Sequence, residues 1–226
     1  MAVNKEAYLE LKERLDRNGV TLVAVSKTKP VSDIRELYDL GQRDFGENYV
    51  QELVEKAGQL PQDIRWHFIG HLQTNKVKYI IPFVHLIHGA DSLKLLTEIN
   101  RQAAKHDKVQ DVLLQVHIAR EETKFGMDVA EAEAFLRTGA LTNLRNIALK
   151  GLMGMASFSE DTEQVRTEFS TLRKLYTGLQ QDASLSYPLQ VLSMGMSGDY
   201  GLALEEGSSL VRIGSLLFGA RTYPPA

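Results

Sequence analysis

Along this chain a short apolar run is followed, again and again, by a longer stretch in which apolar residues return every three or four positions. The short runs are Thr21–Lys27 (TLVAVSK), Asp44–Asn48 (DFGEN), Trp66–Gly70 (WHFIG), Val84–Asp91 (VHLIHGAD), Asp111–Ala119 (DVLLQVHIA), Leu149–Ser157 (LKGLMGMAS), Leu189–Met196 (LQVLSMGM) and Leu210–Ser215 (LVRIGS). Several are apolar at both odd and even positions, as parallel strands covered on both faces must be. Before the first of them, Lys5–Asn18 sets Tyr8, Leu11 and Leu15 on one helical face. Ser32–Gly41 follows the first strand, with Pro30 and Ser32 as start signals and Gly41 as a stop. Asn48–Gly58 follows the second. Asp91–His106 opens on Asp91 as its cap and carries Leu93, Leu96 and Ile99 on one side. Asp128–Arg137 begins with an Asp-x-x-Glu capping box. Ser159–Gln181 is the longest helix, and Asp199–Glu206 is one short helix.

Strands alternating with helices imply a parallel α/β fold. Eight strands within about 195 residues favour a single (β/α)8 barrel over a doubly wound sheet. The expectation is one domain over residues 1–226 with an extra N-terminal helix. No linker divides the chain, and only TYPPA at its end reads as a loose tail.

Composition narrows the function. With 226 residues, 43% hydrophobic and 24% charged, the chain has an ordinary soluble composition. A net charge of −3 argues against a nucleic-acid-binding face. The N-terminus lacks the apolar core of a signal peptide. The most apolar stretch, Tyr79–Ala90, is interrupted by Pro82, His85 and His88 and is shorter than the ~20 residues that span a bilayer. The absence of cysteine excludes disulfides, thiolate metal sites and a cysteine nucleophile, and it fits a reducing cytoplasm.

In a barrel of this kind chemistry sits at the C-terminal strand ends. Lys27 ends the first run and shares a face with Thr21, Val23 and Val25. If the valines fill the interior, Lys27 points into the mouth. Partial desolvation there favours a neutral amine that can attack a carbonyl; a solvated lysine framing the loop is the alternative. Lys29 has the same parity, but Pro30 turns the chain outward. The seventh run ends in SMGMSGDYG, with Ser193, Gly195, Ser197 and Gly198 ahead of a helix start near Asp199. The eighth ends in Gly214 and Ser215. Small-residue turns present backbone N–H groups to anions, and the loops after strands seven and eight are the usual phosphate cradle of a barrel. Tight turn geometry alone is the alternative. Arg212, inside an apolar strand, stays charged and needs a partner. That partner is either a ligand acceptor such as a ring nitrogen or an internal carboxylate such as Glu47.

Other polar residues say less. Asn48 bonds a ligand hydroxyl or caps the next helix. Gln73, Asn75 and Lys76 start a helix or touch an anion. His67 and His71 stand four apart on a strand-to-loop segment, which argues against a metal site; His85, His88 and His117 read as satisfied core. Met153, Met155, Met194 and Met196 fill core or pack a flat aromatic ligand. A lysine, a phosphate cradle and an arginine at one rim match what pyridoxal phosphate (PLP) needs: an amine for its aldehyde, an anion site and a donor for its ring nitrogen.

The segments AVSKTKP, FGENYVQE, WHFIGHLQTNK, KGLMGMAS, SMGMS and VRIGSLLFGAR, in this order from about Leu22 to Tyr223, closely resemble those of the pyridoxal phosphate homeostasis (YggS/PROSC) family. The resemblance implies a single barrel like the N-terminal domain of bacterial alanine racemase. It implies that Lys27 forms the internal aldimine, that Ser197 and the backbone of Gly214 and Ser215 hold the phosphate, and that Arg212 faces the pyridine nitrogen. It adds Ser193, Asn48 and Met153 to the pocket lining and links Lys124 to cofactor transfer. Racemases complete their site with a β-rich second domain, whereas 11 residues follow Ser215 here. A racemase also needs acid–base groups on both faces of the cofactor. The resemblance therefore implies a non-enzymatic, cytoplasmic, monomeric protein that holds PLP and serves vitamin B6 balance. Apo-enzymes that use PLP are the implied recipients. The alternatives are a PLP-dependent racemase or lyase completed by a partner chain, a Schiff-base barrel of the aldolase type acting on a phosphorylated sugar, and an interaction scaffold.

Overall fold

The structure, a computed structural model, describes residues 3–121, 125–185 and 188–219. Eight parallel strands close into a barrel in chain order: β1 (Thr21–Val25), β2 (Asp44–Glu47), β3 (Arg65–Phe68), β4 (Leu86–Ala90), β5 (Gln110–Gln115), β6 (Ile147–Met153), β7 (Val191–Met196) and β8 (Leu210–Ile213). β8 returns to pair with β1, setting Thr21 beside Leu210 and Val23 beside Arg212. Every apolar run holds a strand. DFGEN is buried along the whole of β2. Most of the ladders stop short of the runs at their C-terminal ends. β1 ends at Val25, so Lys27 stands two residues beyond the strand instead of closing it. The reason is local: Thr28 takes the left-handed conformation (φ 64°) and Pro30 follows, so the chain leaves the sheet.

Helices α1 (Lys5–Arg17), α2 (Val31–Asp39), α3 (Val50–Ala57), α5 (Leu93–Ala104), α6 (Val129–Arg137), α7 (Thr162–Gln181) and α8 (Tyr200–Glu205) match the periodic segments. Two more, α4 (Val77–Ile80) and α9 (Ser215–Phe218), are four residues each, too short to show a repeat in sequence. Asp128 caps α6 by accepting the Glu131 N–H at 2.7 Å, as its motif predicts. The cap of α5 is Ser92, whose Oγ accepts the Leu95 N–H, and not Asp91. Among the described residues no helix is long and apolar enough to cross a membrane.

Strand alternation divides the core. Outward side chains such as Leu22, Phe45, Trp66, Ile87 and Val211 merge with the helix faces into one large apolar shell. Inside the barrel, Val23, Leu86, Leu113, Met153 and Leu210 form a separate small cluster. The interior also buries His67, His88, Ser193 and Arg212. Polar groups at such positions cost stability unless each finds a hydrogen-bond partner.

Candidate functional site

At the mouth formed by the C-terminal strand ends lies a cavity of about 620 Å³, within the usual range for small-molecule sites. Val25 and Lys27 border it from the end of β1, Met155 and Ser157 from beyond β6, and Met196 and Ser197 from β7. Arg212, Gly214 and Ser215 border it from β8. Its charged lining is Lys27, Lys29 and Arg212 against Glu160 and Asp199. The cations outnumber the carboxylates, which favours an anionic guest.

Five of the eight residues singled out from sequence thus share one lining: Lys27, Ser197, Arg212, Gly214 and Ser215. The other three do not. Met153 belongs to the interior cluster, one layer deeper, and Met155 with Met196 supplies the sulfur-bearing wall. Ser193 is completely buried behind Arg212. Asn48 is not among the lining residues, and it does not cap α3 either, whose cap position is Tyr49 without a side-chain bond. Its Oδ1 is buried and lacks a hydrogen-bond partner among the described residues. Lys124 lies outside the described residues.

The backbone on both sides of Lys27 is clamped. Ser26 Oγ donates to Glu47 Oε1 at 2.6 Å, and the Ser26 carbonyl accepts from Lys56 Nζ at 2.7 Å. The Thr28 N–H donates to Glu52 Oε1 at 2.6 Å. Lys56 joins the two acids, reaching Glu47 at 2.7 Å and Glu52 at 2.6 Å. Glu47 is fully buried, and burial pushes its carboxyl above the usual range although the Lys56 charge works against that. Glu47 therefore faces α3 and is not the partner of Arg212. Lys29 does line the cavity, contrary to the outward turn expected of it. Its Nζ donates to the carbonyls of Phe218 at 2.7 Å and Gly219 at 3.3 Å.

Arg212 is buried with its guanidinium donating to Ser193 Oγ at 2.5 Å and to the Gly154 carbonyl at 3.0 Å. Burial pulls it down to about 10, with the Asp199 charge opposing, so it stays cationic near neutral pH. Ser197 Oγ accepts the Gly214 N–H at 3.2 Å, which leaves its own hydroxyl hydrogen for another acceptor. Gly195 has φ 96°, and a Cβ there would lie 2.6 Å from the Cβ of Ala203. Only glycine lets the β7 turn dock on α8. α8 and α9 are six and four residues long, so the N–H groups at their starts act singly and not through a long summed dipole. The arrangement can hold an anion against Ser197 and the β8 turn and pack a flat ring between Met155 and Met196. Its amine and guanidinium remain within the same space.

The polar surroundings of Lys27 and Arg212 were the part missed in sequence. Glu52 and Lys56 form a readable i,i+4 pair, but charge on a helix ordinarily means a solvated face. Of the three histidines read as satisfied core, His88 is fully buried and bonds His67 at 2.9 Å, His117 is half-buried with Nε2 on the Glu121 carbonyl at 3.0 Å, and His85 is exposed instead, since it sits just before β4 begins.

The chain matches the family of the alanine racemase N-terminal domain over residues 5–222. It is 45% identical over 208 residues to a pyridoxal phosphate homeostasis protein of Aquifex aeolicus, covering 91% of this chain and 89% of that one. The structure of PipY from Synechococcus elongatus with PLP bound superposes with a TM-score of 0.85. It is 36% identical, with 95% of this chain and 99% of that one covered. Alanine racemase from Bartonella henselae shares the fold (TM-score 0.71, 16% identity), with this chain covering 60% of its length. The chain belongs to the alanine racemase N-terminal domain family and, within it, to the pyridoxal phosphate homeostasis proteins.

Proposed function

We propose that this protein binds PLP in the cavity between β1 and β8 and serves the balance of that cofactor without turning over amino acids. The observation that carries the reading is the shared lining: Lys27, Arg212, Ser197 and the Gly214–Ser215 backbone around one slot. The donor set fits the group. Ser197 and the β8 backbone would take the phosphate, Met155 and Met196 the ring faces, and Arg212 the ring nitrogen. The buried Oδ1 of Asn48, which has no hydrogen-bond partner among the described residues, is a further acceptor at the same end of the barrel. When bound, the cofactor supplies an aldehyde for the Lys27 amine. A guanidinium at the ring nitrogen disfavours a proton there, which weakens the ring as an electron sink. Both this and the family's name favour holding and delivering over catalysis.

In this reading residues 1–226 are one cofactor-binding domain, monomeric and cytoplasmic, and the recipients are apo-enzymes that use PLP. The test is visible absorbance of the purified protein with added PLP, before and after borohydride, beside Lys27→Ala. A yellow band, trapped by borohydride and lost in the variant, is the expected result. A wild-type protein that stays colourless with PLP in excess refutes the reading. Amino-acid turnover above that of free PLP would refute the non-enzymatic part alone.

A further inference from the structure

A line of buried polar groups crosses the barrel from its N-terminal mouth to the cavity. It starts at Asp44, the first residue of β2, whose carboxylate is held by Arg65 Nε at 2.7 Å. Asp44 Oδ1 meets His67 Nε2 at 3.0 Å, and His67 Nδ1 meets His88 Nε2 at 2.9 Å. His88 Nδ1 meets Ser193 Oγ, on the far wall, at 3.2 Å. Ser193 Oγ in turn accepts from Arg212 Nη1 at 2.5 Å. The four side chains that carry the line, His67, His88, Ser193 and Arg212, are each at most 4% exposed.

The chemistry of the two ends orients everything between them. An arginine only donates, so Ser193 Oγ accepts from it and sends its own hydrogen to His88 Nδ1. An ionised aspartate only accepts, so His67 carries its hydrogen on Nε2. With one hydrogen on each ring, that leaves His67 Nδ1 as an acceptor and His88 Nε2 as its donor. All four bonds are then made with both imidazoles neutral, and every hydrogen points away from the cavity. Burial, with the Arg212 charge added, pushes His88 well below the usual histidine range. Burial alone would raise Asp44, but His67 and Arg65 outweigh it and keep the carboxyl ionised. Among the described residues the hydrogen-bond acceptors of Arg212 are both uncharged, Ser193 Oγ and the Gly154 carbonyl. The aim of the guanidinium therefore depends on where the Ser193 hydroxyl points. Turned round, that hydroxyl hydrogen would face the cation.

We infer that Asp44, His67, His88 and Ser193 are positioning residues, a one-way hydrogen-bond chain that fixes Arg212 in the cavity. The inference concerns the apo protein; its effect on a ligand rests on the PLP reading above. Two measurements separate these. Imidazole nitrogen NMR of the full chain, without cofactor, should show His67 and His88 both as neutral Nε2–H tautomers. A hydrogen on His88 Nδ1, or a doubly protonated His67, overturns the chain whether or not PLP binds. In PLP titrations followed by absorbance, Ser193→Ala should weaken uptake about tenfold, the effect of one lost charge-assisted hydrogen bond. It should also shift the bound cofactor's band in the same direction as Arg212→Gln. Ser193→Thr, which keeps the hydroxyl, should restore both. In an Arg212→Gln background Ser193→Ala should add nothing. A Ser193→Ala protein that binds and absorbs like wild type, or that adds its full effect to Arg212→Gln, overturns the inference. If wild type takes up no PLP, the cofactor reading fails and the tautomers alone decide.

Discussion

Removing the charge of Lys56 tests whether the clamp around Lys27 holds as its geometry says. Lys56 is 6% exposed and Glu47 0%, and the ammonium makes three bonds of 2.6–2.7 Å, to Ser26 O, Glu47 and Glu52. Lys56→Met keeps the unbranched stem and most of its volume but leaves Glu47 buried without its cation. Breaking a buried pair on one side costs about 3–5 kcal/mol, against total stabilities of about 5–15 kcal/mol. For a chain of this size that lowers the melting temperature by about 6–20 °C. The loss depends on pH in a stated direction. Burial already raises the Glu47 carboxyl, and without Lys56 it rises further. A group raised in the folded state contributes its stability below its unfolded value, and that contribution is lost as pH rises through the folded value. Lys56→Met is therefore nearer to wild type at about pH 5 than at pH 8, where an unpaired carboxylate must be kept buried. Lys56→Met combined with Glu47→Gln should recover most of the loss, since the neutral pair carries no charge to compensate. Thermal melts at the two pH values check this. A loss of equal size at both, or a double variant no better than the single, would show that the cluster is not held by charge.

Two other predictions follow from close approach and from ionisation. A Cβ on Gly151 would lie 1.7 Å from the Val191 carbonyl across the β6–β7 pairing; Gly151→Ala should cost more than the ~4 kcal/mol that marks exceptional variants, and a melt within a few degrees of wild type would refute it. Asp44 is held well below the usual carboxylate range because His67 and Arg65 outweigh its burial. Its stabilisation is present above the unfolded value of about 3.9 and lost as pH falls through the folded one. Urea midpoints of wild type and Asp44→Asn should thus converge below about pH 4, and a constant gap down to pH 2 would count against the pairing.

What the sequence conveyed was the face on which each residue lies, far more than its depth. Lys27, Ser193 and Met153 all sit on inward parity, as alternation implies. Yet the β1 ladder stops two residues before Lys27, and Ser193 and Met153 lie a layer beneath the cavity. Periodicity sets parity but not the point where a ladder stops. Met155, two positions on and on the same face, is the residue at the surface of the site. The choice between Glu47 and a ligand for Arg212 needed the one fact that pattern could not supply. All four residues of β2 are buried, so nothing in DFGE says which face meets the barrel interior. The helix start offered at Gln73, Asn75 and Lys76 is present, as a helical turn over Thr74–Lys76 that runs into α4, whereas the single turn of α9 contains no repeat that a pattern could show. The interior chain from Asp44 to Arg212 joins residues as much as 105 apart, a partnership that only strand register creates.

The site is built where the first strand meets the last. Lys29 holds the Phe218 carbonyl 189 residues further along the chain, and β1 pairs with β8 over the same span. Bringing the ends of such a segment together costs roughly 5 kcal/mol in chain entropy. At ordinary translation speeds Lys27 emerges roughly 10–40 s before the β8 turn that completes its surroundings. During that interval a nascent chain displays the lysine but has nothing to retain a small molecule beside it. A ligand that touches both seams binds the finished barrel and no earlier form, so it acts on the closed chain as a clasp. Cells short of that ligand would lose the clasp as well, and turnover of this protein should then run opposite to the ligand's supply, rising as the ligand becomes scarce.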